Sequence, residues 1–429
     1  MKNEYFKRII DNILKERLEM IGAVLIVGPK WCGKTTTAER HAKSVLKLQD
    51  TNKSKSYLKL AKIEPSELLN GEKPRLIDEW QMAPVLWDAV RNSVDELNED
   101  GLYILTGSTS VDESKIMHSG TGRINRLTMR PMSLFESKES NGKIAIMDLF
   151  KHPNMNINGI KSDLTIKKLI FASCRGGWPE SLRKKTKKAQ LFVATNYLEN
   201  ICEGDASTVD GVKRDPERVR IILQSYARNI STLASNETIM KDIKSNFSNI
   251  SKTTYYSYID ALNRLFVIDN VFAWSPNIRS ATVIRSQIKK EFIDPSIAVV
   301  ALSLSPERLL YDLNTFGFIF ENLCIRDLKV YSSQYGGKIS YYADKYGLET
   351  DCVLHLRDGR YALIEFKLGG DEIEKGAKNL IKLNNLIKEN IKKSNLNIKV
   401  PSFLAIITGG EYAYTREDGI KILPIGCLR

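Results

Sequence analysis

The segment Gly28-Pro-Lys-Trp-Cys-Gly33-Lys34-Thr35 constrains the chain more than any other. It follows the apolar run GAVLIV and leads into the helical pattern TTTAERHAKSVL, so glycines stand where a strand turns sharply into a helix. A GxxxxGK[ST] turn of this kind aims backbone N–H groups inward at the positive end of a helix, which suits the phosphates of a nucleotide. Strand, loop and helix in this order call for a parallel sheet covered by helices. Its strands are expected near 22–27, 57–61, 75–78, 102–106 and 126–130. Gly28, Pro29, Lys30, Trp31, Cys32, Gly33, Lys34, Thr35 and Thr36 then line a bound ATP, with Lys34 at the β- and γ-phosphates and Thr35 on Mg²⁺.

Hydrolysis asks for acids on a neighbouring strand, and RLIDE at 75–79 offers them. Asp78 would hold Mg²⁺ through water and Glu79 would polarise the attacking water. Thr106, at the end of the apolar strand before Gly107-Ser108, would touch the γ-phosphate or that water; the alternative is an ordinary strand-to-loop turn. The glycine-flanked Arg123 is a candidate arginine finger, from its own subunit or a neighbour, with Arg126 and Arg130 as rivals.

At 429 residues the chain exceeds one core, and about 150 residues per domain implies about three domains, placed at 1–155, 156–310 and 311–429. The division matters because charge is uneven: 24 basic against 15 acidic residues in 151–310 supply +9 of the net +13. A surplus so concentrated points to a polyanion, DNA first among them, although a solvated basic face reads the same way. Apolar runs such as 21–27 and 297–302 fall far short of the roughly 20 residues of a membrane span. Charge runs through the first residues, so no signal peptide is expected and the cytoplasm is. The six cysteines form no CxxC pair, which speaks against a disulfide framework or zinc cluster.

Within the basic middle, 237–247 reads as a helix, 248–252 as a turn and 253–266 as a second helix, followed by strand-like 267–274 and 282–288. This is a helix-turn-helix with a wing. It would set Lys252, Thr253, Thr254, Tyr255 and Tyr256 at the leading end of a helix in the DNA major groove, unless the tyrosines are core.

The last third carries a second constellation. Asp351 lies on one expected strand, Glu365 and Lys367 two apart on the next, and Glu321 on the preceding helix. The carboxylates would bind Mg²⁺ or Mn²⁺ and Lys367 would position or deprotonate water beside a phosphodiester. The alternative is a structural ion-pair cluster.

The phrases GPKWCGKTT, LIDEWQMAP, ILTGSTS, GTGRINRLTMRPMSLFES, GGWPE, YLENICEGD and Phe292-Ile-Asp294, in that order, resemble the AAA+-type ATPases of bacteria and archaea that carry a C-terminal domain of unknown function. The order helix Glu, strand Asp, strand ExK resembles the PD-(D/E)XK nuclease core. Together these resemblances imply an α/β chain: an AAA+-type P-loop sheet, a helical and winged-helix middle, and a restriction-endonuclease-like α/β C-terminal domain. The function they imply is ATP hydrolysis whose nucleotide state controls DNA binding and metal-dependent cleavage. The rivals are a regulatory switch with an inert nuclease fold and a remodelling motor, which would form a homo-oligomeric ring.

Overall fold

In β1 (Ala23–Val27) every residue is buried: strand alternation turns Ala23, Leu25 and Val27 into one apolar layer and Val24 and Ile26 into another. The computed structural model describes residues 5–108, 119–246, 250–275, 287–344, 346–394 and 399–429. Helices α1 (Ile10–Leu18) and α2 (Lys34–His41) supply Ile10, Leu14 and Ala38 to the second layer. Helices α3 (Ser54–Ile63) and α4 (Val85–Leu97) supply Ala61, Leu86, Trp87, Val90 and Val94 to the first.

With β2 (Ser44–Lys47), β3 (Arg75–Asp78), β4 (Tyr103–Gly107) and β5 (Ile124–Thr128), β1 forms an all-parallel sheet of order β2-β3-β4-β1-β5. Because β4 lies between β1 and β3, its last residues stand between the loop leaving β1 and the acids ending β3.

Two expected elements are corrected. Residues 57–61 are not a strand but part of α3: Leu58 and Leu60 alternate, yet Tyr57, Leu58 and Ala61 also share a helical face, and that face packs on the sheet. The strand position falls instead to 44–47, which the sequence pattern assigned to the tail of α2. That helix ends at His41, where Ala42 turns extended, and the Lys43 N–H bonds to the Pro74 carbonyl at 2.8 Å to begin the ladder.

The chain divides into two compact units: Met1–Pro131 with Asp205–Lys213 and Asp260–Val267, and Met132–Gly204 with Arg214–Ile259 and Ile268–Arg429. In the second, a mixed seven-stranded sheet contains β6 (Phe272–Ala273), β7 (Lys338–Ala343), β8 (Glu349–His355), β9 (Tyr361–Lys367), β10 (Phe403–Thr408), β11 (Tyr414–Thr415) and β12 (Lys421–Pro424). Their order is β11-β12-β10-β9-β8-β7-β6. The helix Glu372–Ser394 lays Ala377, Leu380, Leu383 and Ile387 over Val353, Leu363 and Ile406 of this sheet.

The expected helix pair of the middle region is present as Asn236–Asn246 and Lys252–Arg264. Of the strand-like 267–274, Phe272–Ala273 is β6 and runs parallel to β7. The second strand-like segment, 282–288, lies outside the described residues up to 286. Among the described residues, no helix is long and apolar enough to cross a membrane.

Several of the sequence phrases meet in one buried polar network in the second unit. Arg326, on the helix Leu313–Ser333, donates to Asp294 at 2.9 Å and to Asp327 at 2.7 Å. Asp294 also accepts the Gly177 N–H at 2.9 Å, and Asp327 the Leu134 N–H at 3.0 Å. Removing one member of a buried charged set strands its partners. Arg326→Met is therefore expected to destabilise the chain by about 3–5 kcal/mol, read as a lower denaturant midpoint for this unit. An unchanged midpoint would mean the network contributes nothing.

Candidate functional site

Gly28 opens the loop after β1 at φ +151°, and a Cβ there would lie 2.1 Å from the Met129 carbonyl oxygen, so glycine is required. Trp31 (φ 64°) and Gly33 (φ 102°) bend the loop onto the N-terminus of α2. Within it, Pro29 and Cys32 are buried, Lys30 and Thr35 half-buried, and Trp31 and Thr36 exposed. The buried Lys34 ammonium donates to the carbonyls of Gly28 at 3.0 Å and Pro29 at 2.8 Å, so its charge stands at the loop's mouth.

Opposite the loop, hydroxyls and acids form a continuous chain. Thr35 donates to Asp78 Oδ1 at 2.7 Å, and Thr106 donates to the same oxygen at 2.6 Å. The Glu79 N–H in turn donates to Thr106 Oγ1 at 3.2 Å. The Glu79 carboxylate accepts from Ser108 at 3.2 Å and from Gln81. Glu79 has φ 56°, a left-handed conformation unusual for a non-glycine residue. The Thr35 hydroxyl in the first turn of α2 and the Asp78 carboxylate at the end of β3 are hard oxygen donors that fit Mg²⁺ beside phosphate.

Two supporting residues escaped the sequence reading. Arg8 is buried and bridges the loop to the chain after β5, donating to the Cys32 carbonyl at 2.8 Å and the Arg130 carbonyl at 2.7 Å. A lone arginine ahead of α1 carries no motif that would flag it. Asp205, within the phrase YLENICEGD, pairs with Lys30 at 2.6 Å.

Arg123 requires a correction. Its carbonyl accepts the Ala23 N–H at 3.0 Å, at the start of β1, whereas the phosphate loop leaves the far end. Five strand residues separate the two ends, roughly 16 Å at about 3.3 Å per residue. Its guanidinium pairs with Asp95 at 2.7 Å. Arg123 therefore does not serve the loop of its own chain. Arg126 lies exposed in mid-strand, and Arg130 is the arginine at the loop's end of the sheet, following Thr128, which pairs with Val27.

At the start of the helix Lys252–Arg264, Lys252 and Thr253 are exposed, and Thr254 is half-buried against Ser251. Tyr255 is corrected: it is fully buried and its hydroxyl bonds to Asn236 at 3.3 Å, so it offers no surface to a nucleic acid. Tyr256, 41% exposed, takes the outward position.

In the second unit Asp351, Glu365, Lys367 and Glu321 do converge, with a fifth member that sequence reasoning missed. Lys367 pairs with Asp351 at 2.9 Å and Glu365 at 2.8 Å, and the Phe366 N–H donates to Asp351 at 2.9 Å. Lys289 pairs with Glu321 and lies 3.9 Å from Asp351 Oδ1 and 3.4 Å from its carbonyl. Burial raises the Glu365 carboxyl to about 8, helped by the charge of Asp351. Burial likewise raises Glu321 to about 7 against the pull of Lys289. Burial also opposes ionisation of Asp351, but Lys367 and Lys289 outweigh it and hold that carboxyl below its ordinary value. For Lys289 and Lys367 the carboxylates overcome burial and raise both ammonium groups. The cluster does not fit the metal expected of it: Lys289 sits on the oxygens of Glu321 and Asp351. Among the described residues, no three His, Cys, Asp or Glu side chains gather to hold an ion.

Residues 21–138 match the family model of an AAA domain; 166–308 and 316–428 match two domains of unknown function, DUF8612 and DUF4143. No curated protein matches the sequence. Among solved structures, a Walker-type ATPase of Pyrococcus abyssi is 15% identical with a TM-score of 0.43, over 70% of this chain and 97% of that one. AMPPCP-bound DnaA from Aquifex aeolicus is 13% identical with a TM-score of 0.23, over 71% and 86%. The Hef helicase domain of Pyrococcus furiosus is 11% identical with a TM-score of 0.21, over 94% and 89%. The AAA-domain match over 21–138 agrees with the all-parallel sheet and its GxxxxGKT loop, which give this part of the chain the fold of a P-loop nucleotide-binding domain.

Proposed function

We propose that the chain hydrolyses ATP at the loop of residues 28–36 and that its nucleotide state governs engagement of DNA by the basic middle region. The observation that carries this reading is the hydrogen-bonded series Thr35, Asp78, Thr106, Glu79 across the mouth of the phosphate loop. Lys34 would exchange its two carbonyl partners for β- and γ-phosphate oxygens, and Thr35 and Asp78 would hold Mg²⁺, which neutralises charge developing on the phosphates. Glu79 orients and deprotonates the water that attacks the γ-phosphorus in line, Thr106 fixes the Glu79 backbone, and the bond to the β–γ bridging oxygen breaks. Arg130 is the candidate arginine in its own chain, and Arg123 is left for the site of a neighbour in a homo-oligomer.

In this reading 1–155 is the ATP-binding domain, 156–310 reaches DNA through Lys252, Thr253 and Tyr256, and 311–429 is nuclease-like. Two exposed residues at a helix start and a charge of +9 over 151–310 support the DNA contact. The chain would work in the cytoplasm. Lys289 favours the second reading for the C-terminal part, an inert nuclease fold within an ATP-dependent switch. The test measures DNA affinity with ATP and with ADP, and scission with Mg²⁺ or Mn²⁺, for the wild type, Lys34→Ala and Asp351→Ala. Nucleotide-dependent affinity that vanishes in Lys34→Ala is expected. Equal affinity in both nucleotide states would refute the coupling, and scission lost in Asp351→Ala would refute the inert fold.

A further inference from the structure

We infer that Lys289 is a tethered cation holding the place that a divalent metal would take between Glu321 and Asp351, so that the cluster as folded binds no metal. The expectation of a metal rests on the nuclease-like reading of 311–429; the position of Lys289 does not. Its backbone is fixed: Val271 and Lys289 exchange N–H···O bonds of 3.0 and 3.1 Å. The next two residues after Val271 are β6, which pairs with β7, and β7 pairs with β8, the strand of Asp351. The lysine thus enters the cluster from a root in the same sheet, and the whole residue is 6% exposed. Lysines are seldom buried without carboxylate partners, and here the ammonium has two.

Every acid of the cluster is engaged by an ammonium. Asp351 Oδ1 faces Lys289, Asp351 Oδ2 accepts Lys367 and the Phe366 N–H, Glu365 Oε2 accepts Lys367, and Glu321 Oε1 accepts Lys289. An incoming divalent ion would compete with Lys289 for the same oxygens while adding its charge beside the buried Lys289 and the half-buried Lys367 ammonium groups. With Lys289 replaced by an uncharged side chain, the Glu321 and Asp351 oxygens that it faces lose their cation, and a divalent ion can take its place.

The test is Mn²⁺ uptake by the full chain without nucleotide, read from the electron paramagnetic resonance of free Mn²⁺. Wild type is expected to take up no Mn²⁺ that depends on Asp351, Lys289→Met to gain uptake, and Lys289→Met with Asp351→Asn to lose it again. Uptake by wild type that disappears in Asp351→Asn overturns the inference, as does a folded Lys289→Met chain that takes up none. Should Lys289→Met not fold, wild type against Asp351→Asn decides alone, with equal uptake upholding the inference. DNA scission by Mn²⁺-loaded Lys289→Met is a separate readout. Uptake without scission keeps the tethered cation and removes the nuclease-like reading.

Discussion

Glu79→Gln is expected to bind ATP with near-normal affinity and to turn it over about 10²–10⁴-fold more slowly, the usual loss when a general base is removed. The substitution keeps size and removes the negative charge that draws a proton from water. Glu79 is positioned from both sides. Its N–H is held by Thr106, and Trp80 beside it is buried against Trp87, with ring centroids 4.8 Å apart. A left-handed non-glycine residue at a strand end stores of order 1–3 kcal/mol of strain, and such strain persists where surrounding packing enforces it. Steady-state turnover together with fluorescent-nucleotide affinity separates the outcomes. Normal turnover would remove Glu79 from the chemistry, and lost affinity would assign it to binding.

The phosphate loop was legible because its glycines answer to local backbone demands, and Asp78-Glu79 because acids at a strand end stand out. Arg123 was misassigned because its setting among glycines says nothing about strand direction. In a parallel sheet the loops at the carboxyl ends of strands gather at one edge, and Arg130 follows β5 where Arg123 precedes it. Residues 57–61 satisfied two periods at once, and tertiary packing chose the helical one. Tyr255 was separable in principle: with Tyr258, Leu262 and Leu265 it forms an i, i+3, i+7, i+10 stripe, and all four are buried. Lys289 was not legible. Its partners lie 32 and 62 residues away, one on the helix Leu313–Ser333 and one on β8, and only the tertiary fold brings them together. The C-terminal acids could be read as a set from their spacing, but the cation among them could not, and it changes what the set can do.

Lys34→Ala is expected to lower kcat/KM for ATP by at least about 10²–10³-fold, the loss seen when one preorganised donor to developing charge is deleted, and to weaken nucleotide binding as well. The residue is 5% exposed and its ammonium is bonded to two loop carbonyls, so one objection is that the variant simply loses its loop. The geometry argues otherwise. The loop is held independently by Arg8 on the Cys32 carbonyl, by Cys32 against the Met129 carbonyl and by the left-handed turn at Gly33. Removing the lysine forfeits two hydrogen bonds of about 1 kcal/mol each, too little to unfold a domain of this size. Thermal unfolding of the nucleotide-free variant should therefore shift by only a few degrees, while the stabilisation that ATP gives the wild type disappears. A variant that ATP still stabilises to the wild-type extent would show that Lys34 does not reach the phosphates.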